Sequence, residues 1–266
     1  MKYILIGITA LLMTACDSVF QYHPYDVRFD GERDINAHNI SEIEDHCRNL
    51  DSMRVAFISD THHDYTDLCA MVEDINRRED IDFVVHLGDL TDTGTTKEFE
   101  WARDYLQGIR VPYVVLIGNH DFLGTGDETF SRMFGKMDFT FIANRVKFVC
   151  INTNATEYDH IADVPDFDYL EKAVTTDSAL FDRTIVCMHA PPYSDQFNNN
   201  VAKPFEYYVL QLPGLLFCIN GHGHGTEQKD LFGDGMTYYA VGAAYNRKYM
   251  IFTIRKEGYD YEIIDF

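Results

Sequence analysis

Residues of the kinds that bind divalent metal ions recur along this chain, and each group of them directly follows an apolar run. The five groups are Asp60-Thr61-His62, Gly88-Asp89, Gly118-Asn119-His120-Asp121, His189 and Gly221-His222-Gly223-His224. Carboxylate and imidazole groups together suit divalent transition metals such as Mn, Fe, Zn and Ni. Because no cysteine belongs to the five groups, a structural zinc site of the cysteine type is not indicated. The groups therefore predict a metal centre assembled from distant parts of the chain.

The strength of this pattern is its repetition. A single Asp-x-His or His-x-His is more often ordinary surface or core polarity than a metal site, and Gly118-Asn119-His120-Asp121 alone could be a polar loop that caps a strand. Five such groups in order are hard to obtain by chance. Gly88, Gly118 and Gly221 support the interpretation, since a residue without Cβ lets the chain leave a strand sharply.

The apolar runs before the five groups are predicted to be β-strands. They cover Arg54–Ser59, Asp82–Leu87, Val111–Ile117, Thr184–Met188 and Leu215–Ile219. Helices predicted over Asp67–Arg78 and Thr95–Gln107 separate the first three, which indicates right-handed βαβ units and a parallel sheet. Open α/β sheets bind ligands at the carboxyl ends of their strands, where the five groups lie.

The remaining elements indicate a single mixed domain. The predicted hairpins are Phe139–Ile142 with Val146–Ile151 and Tyr249–Ile254 with Tyr259–Asp265, and the predicted helices are Phe167–Val174 and Phe205–Leu212. No repeat or internal linker is evident within residues 53–266, so we predict an α/β sandwich of two mixed sheets with helices outside. Residues 17–52 are interpreted as a tether and capping segment in which Asn39 or Ser41 begins a short helix.

The first sixteen residues resemble a bacterial lipoprotein leader. Lys2 precedes an apolar stretch, Tyr3–Met13, that is too short to span a bilayer, and Met13-Thr14-Ala15-Cys16 resembles a lipoprotein cleavage box. We expect export and a membrane anchor through lipidated Cys16, on the periplasmic or outer side of the cell envelope. An ordinary signal peptide cut near Ala15 is the alternative, and it also predicts export.

The amino-acid composition limits the kinds of molecule that the chain is expected to bind. The 266 residues carry a formal net charge of -21, with 46% hydrophobic residues. Such a chain repels nucleic acids and anionic surfaces, so we expect no nucleic-acid partner. Of the five cysteines after Cys16, the three in apolar runs are predicted to be buried, and Cys47 and Cys69 could form a bridge.

The ordered groups resemble the signature of the calcineurin-like metallophosphoesterase superfamily: Asp-x-His, Gly-Asp, Gly-Asn-His-(Asp/Glu), His and Gly-His-x-His. Every block is present between Met53 and His224. The resemblance implies a four-layer αββα sandwich with a centre of two divalent metal ions at strand ends. It also implies hydrolysis of a small phosphodiester or phosphomonoester through a hydroxide that bridges the metals.

The resemblance also implies roles for nine residues. It assigns Asp60, His62 and His224 to a first metal, Asn119, His189 and His222 to a second, and Asp89 to both. His120 would face the leaving group, and Asp121 would hold the other nitrogen of its imidazole. A turn cap is the alternative for Asp121.

Several other polar residues near the predicted ligands are expected to have roles other than metal binding. His63 is expected in solvent or beside the ligands, His86 in the core, and Asp92 either beside a ligand histidine or in a turn. Tyr193, Asn198 and Asn199 follow His189 and are the first candidates for substrate specificity.

Two classes of function therefore stay open. The first is an exported phosphoesterase for a small organic phosphate or a phospholipid-derived substrate, for which export argues against cytosolic cyclic-nucleotide signalling. The second is a lipid-anchored binding protein that keeps the fold without hydrolysis. Loss of a ligand or of His120 would indicate the second class, and none is lost here.

Overall fold

A computed structural model describes residues 23–158 and 160–266 of the chain. The predicted leader and Cys16 lie outside the described residues. Within these two ranges, no helix is both long and apolar enough to cross a membrane.

Two mixed β-sheets form the centre of the molecule. The first has five strands in the order β11-β10-β1-β2-β3, and the second has six in the order β4-β5-β6-β7-β9-β8. β1, β2 and β3 are parallel, as are β5, β6, β7 and β9. The strands are β1 Ser52–Ile58, β2 Phe83–His86, β3 Tyr113–Val115, β4 Phe139–Ala143, β5 Val146–Cys150, β6 Arg183–Met188, β7 Leu215–Asn220, β8 Glu227–Lys229, β9 Tyr238–Ala240, β10 Lys248–Arg255 and β11 Gly258–Asp265.

Helices cover the outer faces of both sheets, except that α1 lies along the edge strands β3 and β4. They are α1 Ile35–Cys47, α2 Tyr65–Arg77, α3 Thr96–Leu106, α4 Gly126–Met133, α5 Ala155–Tyr158, α6 Phe167–Thr175 and α7 Ala202–Val209, with single 3₁₀ turns at His120–Phe122, Asn199–Val201 and Ala244–Asn246. The start of α3 is fixed by a capping box, because Thr95 Oγ1 accepts from the Glu98 N–H and the Glu98 carboxylate accepts from the Thr95 N–H.

Three separate hydrophobic clusters show that the molecule has four layers. One lies between the first sheet and its helices and includes Leu68 of α2 and Phe99 of α3. The second lies between the two sheets and is rich in aromatic residues such as Phe57 and Phe148. The third joins the second sheet to α6 and α7 and includes Phe205. Three cores require four layers, so the predicted αββα sandwich is confirmed.

The N-terminal helix begins earlier than the sequence predicted. α1 starts at Ile35 and not at Asn39 or Ser41, because its asparagines bind strand β3 instead of capping the helix. The Asn36 amide donates to the Val115 carbonyl at 2.8 Å and accepts from the Val115 N–H at 2.9 Å. The Asn39 amide donates to the Tyr113 carbonyl. β3 is an edge strand, so these amides satisfy backbone groups that no neighbouring strand reaches.

The cysteines lie as the apolar runs predicted, and the possible bridge is absent. Cys150, Cys187 and Cys218 are buried within strands. Cys47 is buried and Cys69 exposed, and both carry free thiols, so the two do not pair.

Candidate metal centre

The five groups of metal-type residues meet at one edge of the sandwich. They follow β1, β2 and β3 in the first sheet and β6 and β7 in the second. β1, β2 and β3 run parallel to one another, as do β6 and β7, so within each sheet the carboxyl ends of these strands open on the same side. Backbone contacts join the segments that follow these strands. Ser59 forms a β-bridge with Ala243, and the Val241 N–H donates to the Asn220 carbonyl. Residues more than 160 positions apart thereby come into contact.

The first set of donors consists of Asp60, His62 and His224. Asp60 Oδ1 lies 3.4 Å from His224 Nε2 and 4.0 Å from His62 Nε2. The Asp60 side chain is fully buried and that of His62 is 7% exposed. Within the described residues, neither Asp60 Oδ1 nor His62 Nε2 has a hydrogen-bond partner. Buried polar atoms without hydrogen-bond partners are costly, so this pair of atoms fits a bound cation between them.

The second set consists of Asn119, His189 and His222. Asn119 Oδ1 lies 3.0 Å from His189 Nε2 and 3.0 Å from His222 Nδ1. These three atoms, with Asp89, form a concave cluster of unlike donors. With metal–ligand bonds of about 2.0–2.2 Å, neighbouring ligand atoms lie roughly 3 Å apart, so the cluster suits one divalent ion. The donors of both sets therefore fit the two metals that the resemblance implies.

Asp89 faces both sets through one oxygen. Its Oδ2 lies 3.2 Å from His189 Nε2 and 3.8 Å from His62 Nε2. Its Oδ1 accepts a 2.8 Å hydrogen bond from the His120 N–H. Oδ2 is thus the atom placed to join two cations, while Oδ1 anchors the third loop of the site.

Unusual backbone conformations direct these side chains inward. Five of the seven predicted ligands have positive φ: Asp60 at 51°, His62 at 44°, Asp89 at 56°, His222 at 67° and His224 at 54°. The left-handed region costs non-glycine residues energy and is concentrated at functional sites. The strand ends therefore adopt backbone conformations that cost energy, and these conformations bring the donor atoms together.

Gly118 and Gly221 are required by close approach. A Cβ on Gly118 would lie 2.1 Å from both the backbone nitrogen and Oδ1 of Asp89, and a Cβ on Gly221 would lie 2.0 Å from Ser59 Oγ. Each glycine lets one loop touch the ligand-bearing loop beside it. The sequence predicted the bend at these glycines, and the structure adds the contact.

The outward nitrogens of three ligand histidines are held by groups of the protein. His62 Nδ1 donates to the Thr91 carbonyl at 3.1 Å and His189 Nδ1 donates to the Leu87 carbonyl at 2.9 Å. The Tyr245 hydroxyl pairs with His224 Nδ1 at 2.9 Å. Each contact leaves Nε2 facing the donor cluster, which fixes the ring orientation that metal binding needs.

The His222 ring is turned the other way, so that Nδ1 and not Nε2 faces the donor cluster. The residue that holds its outward nitrogen was not indicated by the sequence. Its Nδ1 faces Asn119, and its Nε2 lies 2.7 Å from Asp195 Oδ1. The histidine lowers the pKa of the Asp195 carboxyl through this hydrogen bond. Asp195 lies six residues beyond His189 in an irregular loop, so only the folded chain reveals the pairing.

His120 belongs to neither set of donors. Its Nδ1 donates to the Asp92 carbonyl at 2.9 Å, and its ring packs edge-on against His62 with the centroids 4.8 Å apart. The Asp92 contact leaves Nε2 as the nitrogen for a substrate. His120 is therefore placed beside the metals, as the leaving-group role requires.

The predicted partnership between Asp121 and His120 is wrong. The Asp121 side chain is fully buried and accepts hydrogen bonds from Leu90 N–H, Thr91 N–H, the Thr91 hydroxyl and Gly118 N–H, at 2.8 to 3.2 Å. Asp121 instead caps backbone N–H groups, as the alternative interpretation predicted, and the groups that it caps belong to two loops. Asp121 acts on the site through the backbone and does not touch the His120 imidazole.

The other candidates lie outside the donor sets. His63 is exposed, 3.5 Å from Asp92. His86 is buried, where its Nδ1 accepts from Gly88 N–H and burial lowers its pKa to about 3. Asp92 lies 3.8 Å from His62 Nδ1, and its backbone carbonyl binds His120. Tyr193 lies at the edge of the site, in the loop after His189.

The charges of the site favour cation binding. Burial acts to raise the pKa values of Asp60 and Asp89, but neighbouring imidazoles outweigh it and hold both below their ordinary values. Burial acts to lower the pKa of His189, and Asp89 and Asp60 instead raise it to about 9. The carboxylates are ionised at neutral pH, as metal ligation requires.

We expect Asp195 to matter for the second metal. Asp195→Ala should weaken binding of that ion about tenfold, because the His222 ring loses its outer support. Metal content after dialysis against a graded series of chelator concentrations measures the effect. Asp195→Asn keeps an oxygen acceptor and should lose less metal affinity. Equal metal occupancy in the alanine variant and the wild type would contradict the assignment.

Comparisons with known proteins agree with the geometry. The calcineurin-like phosphoesterase family model matches residues 53–225. A 3',5'-cyclic-nucleotide phosphodiesterase of a Nostoc species is 24% identical over 159 residues, 59% of this chain and 58% of that protein. A probable cyclic nucleotide phosphodiesterase of Xenorhabdus bovienii is 20% identical over 179 residues, 63% of this chain and 71% of that protein.

A solved structure shares the fold. The structure of a dimetal phosphatase from Danio rerio superposes with a TM-score of 0.63 at 13% identity and covers 80% of this chain and 98% of its own. At that identity the likeness shows the fold alone. The chain spans less than two thirds of the length of the Nostoc relative.

Proposed function

The chain belongs to the calcineurin-like phosphoesterase family, and from that premise we propose that it is a metal-dependent hydrolase of small phosphate esters, with phosphodiesters as its preferred class. One observation carries the proposal. The seven predicted ligands converge at one edge of the sandwich, and Asp60 Oδ1 and His62 Nε2 are buried there without a hydrogen-bond partner in the described part of the chain. No structural role in the fold explains a cluster of that kind.

The chain's own residues would perform three tasks. Asp60, His62 and His224 would hold one divalent ion, Asn119, His189 and His222 the other, and Asp89 both. When bound, two such ions polarise phosphoryl oxygens and lower the pKa of a bound water to near neutrality. Asp89 keeps the two sets together through Oδ2, and its Oδ1 fixes the loop that carries Asn119 and His120.

His120 would assist departure of the leaving group. Its Nδ1 proton is committed to the Asp92 carbonyl, so Nε2 is the atom available to the ester oxygen. In its doubly protonated form the ring would deliver the Nε2 proton to the alkoxide as the P–O bond breaks, and it would be left as the neutral imidazole with its proton on Nδ1. In an in-line displacement the attacking and leaving oxygens lie on opposite sides of phosphorus, so His120 would face the leaving oxygen.

The preference for diesters is supported by the relatives. The Nostoc and Xenorhabdus proteins are named as phosphodiesterases of cyclic nucleotides. The intact donor sets and the retained His120 argue against the alternative of a binding protein without hydrolysis. We therefore place a small phosphodiester first.

The test is an assay of the full chain reconstituted separately with Mn²⁺, Fe²⁺, Zn²⁺ and Ni²⁺. We expect about two divalent ions per chain and faster turnover of bis-p-nitrophenyl phosphate than of p-nitrophenyl phosphate. Asp89→Asn is the blank, because it weakens both metals at once. Failure of every loaded wild-type sample to turn over either ester overturns the proposal, and faster turnover of the monoester overturns the diester preference.

The cellular place of the reaction is a separate proposal. Met13-Thr14-Ala15-Cys16 supports export and a lipid anchor on Cys16. The wild type should partition into the detergent phase of a Triton X-114 separation, and Cys16→Ser into the aqueous phase. Aqueous partitioning of the wild type would refute the anchor.

A further inference from the structure

Strand β5 ends on the same side of the second sheet as the strands that carry ligands. It runs parallel to β6, and we call the stretch Asn152-Thr153-Asn154-Ala155-Thr156 that follows it the β5 segment. The β5 segment contains none of the predicted ligands, yet its first three side chains are polar and buried. Buried polar side chains are held by specific hydrogen bonds, so the partners of the β5 segment indicate its role.

The β5 segment is joined to the loop that carries Asn119. Asn154 is fully buried, and its Nδ2 donates to the Ile117 carbonyl at 3.0 Å and to Asn152 Oδ1 at 2.9 Å. Ile117 lies beyond the end of β3 and directly precedes Gly118-Asn119. The hydrogen bond therefore connects the second sheet to the stretch of the first sheet that leads to a predicted ligand.

The Asn154 side chain is itself held in place from one side. Asn152 Oδ1 also accepts from the Asn154 backbone N–H at 3.0 Å, and the Asn152 N–H donates to Asp138 Oδ1 at 2.7 Å. Within the described residues Asn154 Oδ1 has no hydrogen-bond partner. Only the donor half of the amide is used, so a residue of similar size without a donor would take this hydrogen bond away from the buried Ile117 carbonyl.

The other end of the β5 segment holds the loop that contains Asp195. The Ala155 N–H donates to the Gln196 carbonyl at 2.9 Å, and Thr156 Oγ1 donates to the Asp195 carbonyl at 3.1 Å. The carboxylate of Asp195 in turn binds the outward Nε2 of His222 at 2.7 Å. The β5 segment therefore fixes the backbone from which the support of His222 projects.

Both connections concern the second set of donors. Asn119 Oδ1 and His222 Nδ1 lie 3.0 Å apart, so the relative position of their loops decides whether one ion can bind both atoms. Within residues 23–158 and 160–266, no hydrogen bond links the β5 segment to the residues around Asp60 or His224. The β5 segment is placed to act on the second set and not on the first.

We propose that Asn154 is a positioning residue for the second metal ion, because it fixes the place of Asn119 relative to His222. Its hydrogen bond to Ile117 sets the Asn119 side, and the contacts of Ala155 and Thr156 set the His222 side. The proposal rests on the proposed function for the presence of the metal centre. It adds a residue that belongs to none of the five groups of metal-type residues.

The first experiment measures Mn²⁺ binding by the full chain, from the EPR signal of the free ion, in two backgrounds that each keep one set of donors. His224→Ala keeps the second set, and His222→Ala keeps the first. In the His224→Ala background, Asn154→Leu should weaken Mn²⁺ binding about 10- to 100-fold, the loss expected when an outer partner of a metal ligand is removed. In the His222→Ala background it should have little effect. Equal losses in both backgrounds, or no loss in the first, overturn the proposal.

The number of bound ions gives a second readout with every ligand present. At a Mn²⁺ concentration that loads about two ions on each wild-type chain, Asn154→Leu should hold about one. Two ions bound with unchanged affinity would overturn the proposal, whereas a wild type that binds no ion would refute the metal centre of the proposed function. Because no substrate is present, a failure to hydrolyse esters leaves the outcome of this test unchanged.

Asn39→Leu is the matched control. The Asn39 amide also donates to a carbonyl of this strand, that of Tyr113 at 2.7 Å, but Tyr113 begins β3 and lies at the end away from the site. Asn39→Leu should leave Mn²⁺ affinity unchanged in the His224→Ala background. An equal loss in this control would show that any loosening of β3 weakens the ion, and the assignment to Asn154 would fall.

A further variant covers the case in which Asn154→Leu does not fold. Thr156→Val removes the hydroxyl that binds the Asp195 carbonyl, and Thr156 is exposed. It should weaken Mn²⁺ binding in the His224→Ala background by about 2- to 10-fold, the equivalent of one ordinary hydrogen bond. An unchanged affinity in the folded Thr156→Val protein would refute the role of the β5 segment.

Discussion

Replacing His120 by alanine should lower kcat about 10²- to 10⁴-fold on esters with poor leaving groups, while the metal content stays unchanged. The imidazole donates through Nδ1 to the Asp92 carbonyl and presents Nε2 to the site. Its donor atom lies within 4.8 Å of those of His62 and Asp89, but the family resemblance assigns His120 to neither set of metal ligands. Loss of the side chain therefore removes proton delivery and leaves the ligands in place. Steady-state rates and metal analysis of the purified full chain measure the two halves of the prediction.

The leaving group provides the internal control. A p-nitrophenolate ion departs without a proton, so His120→Ala should slow p-nitrophenyl esters much less than alkyl esters. His63→Ala is the matched variant, because His63 is the exposed histidine next to a ligand. Loss of one metal from His120→Ala would show that His120 is a ligand, and an unchanged rate on alkyl esters would remove it from the mechanism.

The sequence was sufficient to predict which residues meet. The apolar runs before Asp60, Asp89 and Asn119 form parallel strands, and parallel strands end on one side of a sheet. The same reasoning places His189 and His222 beyond β6 and β7. The order of elements predicted two packed sheets, but the meeting of their strand ends in one centre came from the family resemblance, because no periodicity within a strand reports how sheets align.

What the sequence could not supply depends on the paths of loops. Asp195 reaches a ligand histidine from a loop at 2.7 Å, and Tyr245 reaches another from a 3₁₀ turn at 2.9 Å. Helix α4, Gly126–Met133, was not predicted, because two glycines at its start obscured a helical pattern of eight residues. Asp121 was paired with the wrong partner, since adjacency in sequence does not show where a side chain points after a strand ends.

Asp121→Ala should lower the free energy of unfolding by about 3–5 kcal/mol, because each buried N–H left without an acceptor costs roughly 1–3 kcal/mol. The carboxylate is fully buried, and its removal leaves the N–H groups of Leu90, Thr91 and Gly118 without acceptors. These groups belong to the loops that carry Asp89 and Asn119. Metal affinity should fall together with stability, and urea unfolding with metal titration measures both.

Asp121→Asn distinguishes this anchoring role from the orienting role that the sequence suggested. An amide of the same shape turns a donor toward the backbone N–H groups, so the variant should be destabilised although no atom is lost. If Asp121 instead oriented His120, the asparagine variant would keep normal stability and show the kinetic defect of His120→Ala. Asp45→Ala, a largely exposed carboxylate on α1, is the control and should change stability by about 0.5 kcal/mol or less. Normal stability in both Asp121 variants would refute the anchoring role.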